Sequence, residues 1–443
     1  VYLEFSHFDL HYLYSSTNRS CRKLKEGGGN MKKTGMLLMF GIMTVFLAGC
    51  QGRNQDAEEE KEVLTICADG WNDVGGLAED WKKYCGGMEV EVIELSHNET
   101  ADMKNTEIRT EIMSGGGPDV FVLACPVSEN ENISYLFSNP EKVMESDLFL
   151  PLDEYMENAE YMKPEQWNQT ILEAGRTEDG QVLLPVYYRY CAYMIPQKDV
   201  QGVEQPASWE EVYTSENPAL KSTLGNHMWS SSFPFLFGKL ADYQKGELTF
   251  SKEELAACLD EALLFEESNT STEESMEMGL TGWGDETFYS EVSASLEEEP
   301  VGFTLPNKDG GVTAMVTLYA AVNRNTEHPE EAFAFLDFML SDEVTSGIGF
   351  KRDEKFYGSG GGKFLTEGIT VNQKVFVDRY CRNDKAKEIY ESINGRIDTV
   401  RYYSDMDEEL YQLYGRYKYT QQQTEREELI QSTYDRMKMK VAE

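Results

Sequence analysis

VLTICADGWNDVGGLAEDWKKYCGGMEVEVIEL, residues 63–95, sets the class of the folded chain. Residues 63–68 are rich in β-formers, 76–85 repeat their apolar side chains with helical period, and 88–95 alternate with period two. Gly86 and Gly87 punctuate the helix. The cycle then recurs. Residues 100–113 carry a second helical pattern, Gly115-Gly116-Gly117-Pro118 breaks it, and DVFVLA (119–124) reads as a strand. Alternation on this spacing predicts βαβ units on a parallel sheet, with ligands beyond the carboxyl ends of the strands.

Farther along, QVLLP (181–185) and YYRYCAYMIP (187–196) read as a strand pair. The stretch from Ser208 to about Thr272 reads as mostly helical. VGFTLP (301–306) and VTAMVTLYAAVN (312–323) supply further strands. Pro329 to Leu340 is an apolar helix with proline in its first turn, and Thr424 to Val441 a charged amphipathic one. Strands that return after a helical excursion predict two lobes with several crossings between them, and 443 residues are too many for one ordinary core. No internal repeat is visible.

Seventy-nine acidic against 40 basic side chains give a net charge of −39. Such a surface repels phosphate backbones, which argues against nucleic-acid binding. Its ordinary use is solubility, and its sharper use a preference for cationic or neutral ligands. The eight cysteines show no CxxC or Cys/His metal spacing, so buried free thiols are expected, with no metal and no cofactor. An oxidising compartment leaves room for one disulfide.

Residues 31–50 read MKKTGMLLMFGIMTVFLAGC: two lysines after Met31, an apolar run from Met36 to Leu47, then small residues before Cys50. This is a secretory signal (31–49), too short to span a bilayer alone. Its Leu47-Ala48-Gly49-Cys50 end resembles the bacterial lipobox, which implies that Cys50 becomes the lipidated first residue of the mature chain, anchored outside the cell membrane. Residues 1–30 do not belong to the signal, and we expect translation to start at Met31. The polar, acidic stretch 50–62 reads as a flexible tether.

A series of short motifs follows in order: DGWNDVGGLAEDWKKY (69–84), MSGGGPDVF (113–121), LPLDEYM (150–156), DGQVLLPV (179–186), SWEEVY (208–213), TGWGDE (281–286), GFTLPNKDG (302–310) and HPEEAFAFLDFMLSDEV (328–344). Each is weak alone. Their order behind a lipobox resembles the maltose-type extracellular solute-binding proteins, family 1, across residues 61–348. The resemblance implies an α/β fold of the periplasmic-binding-protein type II, two lobes joined by a hinge around an interlobe ligand cleft. The lobes are expected to comprise 63–187 with 306–341, and 188–305 with 342–443. It further implies a monomeric substrate-binding lipoprotein that delivers a small solute, most simply a sugar or oligosaccharide, to the transmembrane permease of an ABC importer. No chemistry is implied. Three departures stand out. Residues 268–282 (SNTSTEESMEMGLTG) lack the family's Gly-Lys-Ala-Ala-Met run. Leu123-Ala124-Cys125-Pro126 lacks the residues that grip sugar in maltodextrin binders. The tail from Phe350, with GSGGG (358–362), matches no part of the pattern.

Sugar sites set aromatic rings against C–H faces and polar groups around the hydroxyl rim. Trp71, in the loop after the first strand, suits either that role or loop packing, and Asn72 and Asp73 beside it could take hydroxyls. Trp283 follows Gly282 where the family often presents a ring. Trp229, opening an apolar stretch, reads as core. Tyr187, Tyr188 and Arg189 fall at the first lobe crossing. A guanidinium there suits a carboxylate, sugar hydroxyls or an inter-lobe salt bridge. Asp119 reads as a brace, and Gly115–Gly117 as a turn.

Two other readings stand beside import. A lipid-anchored sensor for a membrane receptor would share every feature above. A surface glycoside hydrolase would need two placed carboxylates, and none of the many acids is singled out. Neither HExxH nor GxSxG occurs.

Overall fold

The computed structural model describes residues 62–69, 73–95, 101–125, 135–225, 231–267, 280–295, 299–346, 350–352, 355–357 and 368–442. The signal, Cys50, the tether, Trp71, Asn72, Trp229 and the GSGGG run lie outside them.

The opening βαβ expectation holds. Strand β1 (Val63–Asp69) leads into helix α1 (Val74–Cys85), then β2 (Glu89–Leu95), helix α2 (Ala101–Met113) and β3 (Val120–Ala124). β1 lies between β2 and β3, parallel to both. On α1 the buried side chains are Val74, Leu77, Ala78, Trp81 and Tyr84, one apolar stripe at helical spacing. Gly86, at φ 74°, ends the helix in the left-handed region that only glycine enters cheaply. Trp81 meets Phe335 edge-on at 5.7 Å, which seats α1 on the helix Pro329–Met339. β3 is buried throughout, while β2 is half exposed and carries glutamates along its open edge.

Next come a short helix α3 (Pro140–Met144) and α4 (Gln169–Glu173). Strands β4 (Leu184–Arg189) and β5 (Cys191–Pro196) follow, separated by Tyr190. The stretch read as mostly helical does contain Trp209–Tyr213, Pro218–Gly225 and α5 (Lys252–Glu267). That expectation needs one correction. Ala241–Asp242 pairs with Glu247–Leu248 as a small hairpin. Its turn is set by Asp242, whose carboxylate accepts from the Lys245 amide, and by Gly246, both turn chemistry rather than helix chemistry.

Strand β6 (Leu280–Trp283), helix α6 (Glu286–Ala294), β7 (Pro300–Thr304), the long strand β8 (Val312–Val322) and helix α7 (Pro329–Met339) complete the region covered by the motifs. The tail adds a helix over Gln373–Tyr380 and five further labelled elements. These are β9 (Ile369–Thr370), α8 (Asp384–Asn394), β10 (Ile397–Tyr402) and two antiparallel-packed helices, α9 (Asp405–Tyr417) and α10 (Gln423–Ala442).

Two sheets organise these strands. The large one has seven, ordered β9-β4-β8-β3-β1-β2, with β10 added along the first half of β8. The small one has three, β6-β5-β7, all antiparallel. The tail thus returns two strands to the large sheet.

Asp119, from the Gly-Pro-Asp turn, is a brace. Its Oδ2 accepts from the Thr65 amide and hydroxyl, both at 2.7 Å, and its Oδ1 accepts from the Thr326 hydroxyl. The triple-glycine stretch is a turn, held by Asn323, which donates to the carbonyls of Gly116 and Pro118. Asp337 on α7 does similar work, accepting from the amides of Glu160, Tyr161 and Met162 at 2.7–3.2 Å.

Candidate functional site

β1 ends at Asp69, which is 2% exposed. Its carboxylate accepts from the Ala124 amide and so ties the carboxyl ends of β1 and β3 together. Asp73, read from sequence as a hydroxyl contact, is the N-cap of α1 and accepts from the Gly76 amide at 3.1 Å. One of its oxygens is therefore occupied by the helix.

The other candidates converge where the chain leaves the large sheet for the small one. Tyr187 is buried between β8 and β9, in register with Leu318 and Thr370. Arg189, the last residue of β4, faces Met315 of β8 and is half-buried. Tyr190 makes the crossing. Trp283, the last residue of β6, pairs with Cys191, the first of β5. Trp283 thus lies opposite the residue two places after Arg189 in the chain, although the two candidates are 94 positions apart and end strands of different sheets. The Gly284 amide then donates to the Tyr190 carbonyl at 2.7 Å. Gly284 has to be glycine, since a β-carbon there would overlap the Tyr190 ring.

Tyr188 and Tyr190 point away from Arg189 into a buried polar cluster. The Tyr188 hydroxyl donates to Asn394 Oδ1 at 2.6 Å, and Asn394 Nδ2 donates to the Tyr190 hydroxyl at 3.1 Å. The hydroxyls of Tyr190 and Tyr289 share a hydrogen bond of 2.5 Å. Burial pushes all three phenols well above their ordinary range, so they remain neutral.

Two groups missed in the sequence border the crossing. Thr317 sits in a bulge of β8 opposite β4, and its carbonyl accepts from the Cys125 amide at 2.8 Å. Its hydroxyl is buried with no hydrogen-bond partner among the described residues. Tyr403, just after β10, is buried within reach of the Arg189 charge, which opposes the upward push of burial on its phenol. A β-bulge leaves no mark in a run as uniform as VTAMVTLYAAV, and Tyr403 lies in the tail that no motif covered.

Chemistry is poorly served here. Burial pushes the Cys191 thiol up to about 12 and the Cys125 thiol well above its ordinary value, the reverse of what a nucleophile needs. No metal-ligating cluster occurs among the described residues. The hollow along the exposed flank of α2, lined by Asp102, Met103, Thr106 and Thr110, holds none of the candidates. What the crossing offers is a cation, buried rings and a hydroxyl around strand ends, groups of the kind that line solute sites.

The sequence profile described as bacterial extracellular solute-binding protein matches residues 74–346. The chain belongs to this family. As a member, it has the family's two-lobed α/β fold of periplasmic-binding type, and the family places it outside the cytoplasm. The solved structures agree in fold. The sugar-binding protein MalE from Xanthomonas citri superposes with a TM-score of 0.56 at 12% identity, covering 86% of this chain and 98% of that one. A family 1 extracellular solute-binding protein from Alicyclobacillus acidocaldarius gives 0.54 at 10% identity, covering 87% and 100%. A periplasmic oligogalacturonide binding protein from Yersinia enterocolitica gives 0.51 at 13% identity, covering 86% and 100%. No curated protein matches the chain. Among the described residues of this solute-binding protein, no helix is long and apolar enough to cross a membrane.

Proposed function

We propose that this solute-binding protein is the lipid-anchored capture subunit of a bacterial ABC importer, and that it carries a sugar or oligosaccharide. The observation that carries the reading is the crossing at Tyr190, where Trp283 pairs with Cys191, two residues on from Arg189, and Tyr187 lies two residues before Arg189. A polar rim with aromatic neighbours at a passage between sheets suits a ring-shaped solute bearing many hydroxyls. The names of the MalE and oligogalacturonide-binding structures favour the same class. Trp71, Asn72 and Asp73 complete the site from the first βα loop. Closure of the two lobes is then a population shift, since solute touches both only in the closed form. We place the division at Tyr190 and at the turn 305–311, with the permease recognising the closed form. Cys50 supplies the membrane anchor, residues 50–62 the tether, and the protein works as a monomer.

A thermal-shift screen of the mature chain across sugars, amino acids, peptides and polyamines tests this. A micromolar solute, worth about −8 kcal/mol, should add roughly 2.7 kcal/mol of stability at a hundred times its dissociation constant. Shifts confined to peptides or polyamines would refute the carbohydrate class. In cells, the Cys50→Ala variant should move the protein out of the membrane fraction, and unchanged partitioning would refute the anchor.

A further inference from the structure

The Tyr190 crossing is fastened from behind by one side chain. Asn394, the last residue of α8, uses both ends of its amide. Oδ1 accepts from the Tyr188 hydroxyl at 2.6 Å and from Asn168 Nδ2 at 3.2 Å. Nδ2 donates to the Tyr190 hydroxyl at 3.1 Å and to the Tyr390 carbonyl at 2.9 Å. Tyr188 and Tyr190 are the two neighbours of Arg189 in the chain. Because their tips meet the same amide, they lie on one side of the extended backbone, and Arg189 between them projects to the other. Tyr190 also receives the Gly284 amide and packs against Gly284, the residue after Trp283.

We propose that Asn394 is a positioning residue for the solute site, acting through Arg189 and Trp283 without touching solute. The inference rests on the assignment of those two residues to the site. Its physical basis is the number of free torsions at a sheet-to-sheet crossing. Arg189 is the last residue of β4 held in register with β8, and Tyr190 belongs to neither β4 nor β5, so that ladder gives no restraint to the chain beyond Arg189. The amide of Asn394 supplies that constraint by joining residues 188 and 190 at their tips. No other side chain replaces it readily: aspartate loses both donors and buries a charge, and leucine loses all four bonds.

The test is a double-mutant cycle on the mature chain with Asn394→Ala, Arg189→Gln and the pair. Maltotriose, mannotriose and trigalacturonate are the probes, titrated by calorimetry. Amide exchange is followed over residues 186–196 and 280–290. Asn139→Ala serves as control, because Asn139 is a buried amide bonded to Tyr243 away from the crossing. Asn394→Ala should weaken the bound trisaccharide about ten-fold or more, the double variant should be no weaker than Arg189→Gln within about two-fold, and the control should bind normally. Exchange should quicken in both segments only when Asn394 is changed. Losses that multiply in the double variant, unchanged affinity, or unchanged exchange in both segments would overturn the proposal. Should none of the three trisaccharides bind the parent chain, the solute class fails, and the exchange result still decides whether Asn394 governs the crossing. If Asn394→Ala does not fold, Tyr190→Phe, which removes one hydroxyl and keeps the ring, takes its place in the cycle.

Discussion

Glu141, on α3, offers a prediction whose sign and size follow from its surroundings. Its Oε1 accepts from the Tyr402 amide at 3.1 Å, and Arg401 stands near enough to favour its charge. Desolvation outweighs both and pushes its pKa from 4.5 up to about 7. The residue as a whole is half-buried, but its carboxyl end is the desolvated part. A carboxyl raised in the folded state binds its proton more tightly there than in the unfolded chain. Stability is therefore fully present below the unfolded pKa and is lost as pH climbs toward 7. The shift is worth about 3 kcal/mol at 1.36 kcal/mol per unit, and partial solvation brings this to about 2. Glu141→Gln keeps an oxygen for the Tyr402 amide and removes the charge. It should stabilise the protein by about 2 kcal/mol at pH 8 and change little at pH 4.5. Urea unfolding of parent and variant at both values measures the difference directly, and subtraction removes every other titrating group. A variant less stable than the parent at pH 8, or a difference independent of pH, would refute the reasoning.

Other outcomes follow from the same structure. Asp337→Asn turns a donor toward three backbone amides and should cost about 2–4 kcal/mol in chemical unfolding, with no effect on solute affinity. Asp407→Ala strands Arg401, which is 2% exposed and bonded to it at 2.6 Å. It should cost about 3–5 kcal/mol, while the double change Arg401→Met with Asp407→Leu should cost far less. Trp71→Ala and Trp283→Ala should each weaken solute binding by about 1–3 kcal/mol with little loss of folding stability. Stability losses of about 3–5 kcal/mol at unchanged affinity would instead make them core residues.

The parallel core was legible because α1 and β2 keep their periods, β3 is one apolar run, and glycine or proline separates β1 from α1, α1 from β2 and α2 from β3. Arg189 and Trp283 were legible as candidates from residue type and position, but not the pairing of Trp283 with Cys191, two residues on from Arg189. That depends on the register of β6 against β5, which no local pattern records. Asp73 was read for its polarity, although an aspartate directly before a helical stripe is also a capping signal. β9 is two residues long and gave no periodicity to detect. Asn394 was illegible for a different reason. Its partners Tyr188 and Tyr190 lie more than 200 positions away, so only the folded chain brings them to one amide.

The central claim is capture of an intact solute at the Tyr190 crossing. Calorimetric titration of the best hit from the screen, followed by recovery and mass analysis of the bound molecule, tests it most directly. The account predicts one solute per chain, recovered unchanged, with affinity lowered about ten-fold or more by Arg189→Gln. Recovery of a cleaved product, or full affinity in both Arg189→Gln and Trp283→Ala, would contradict it.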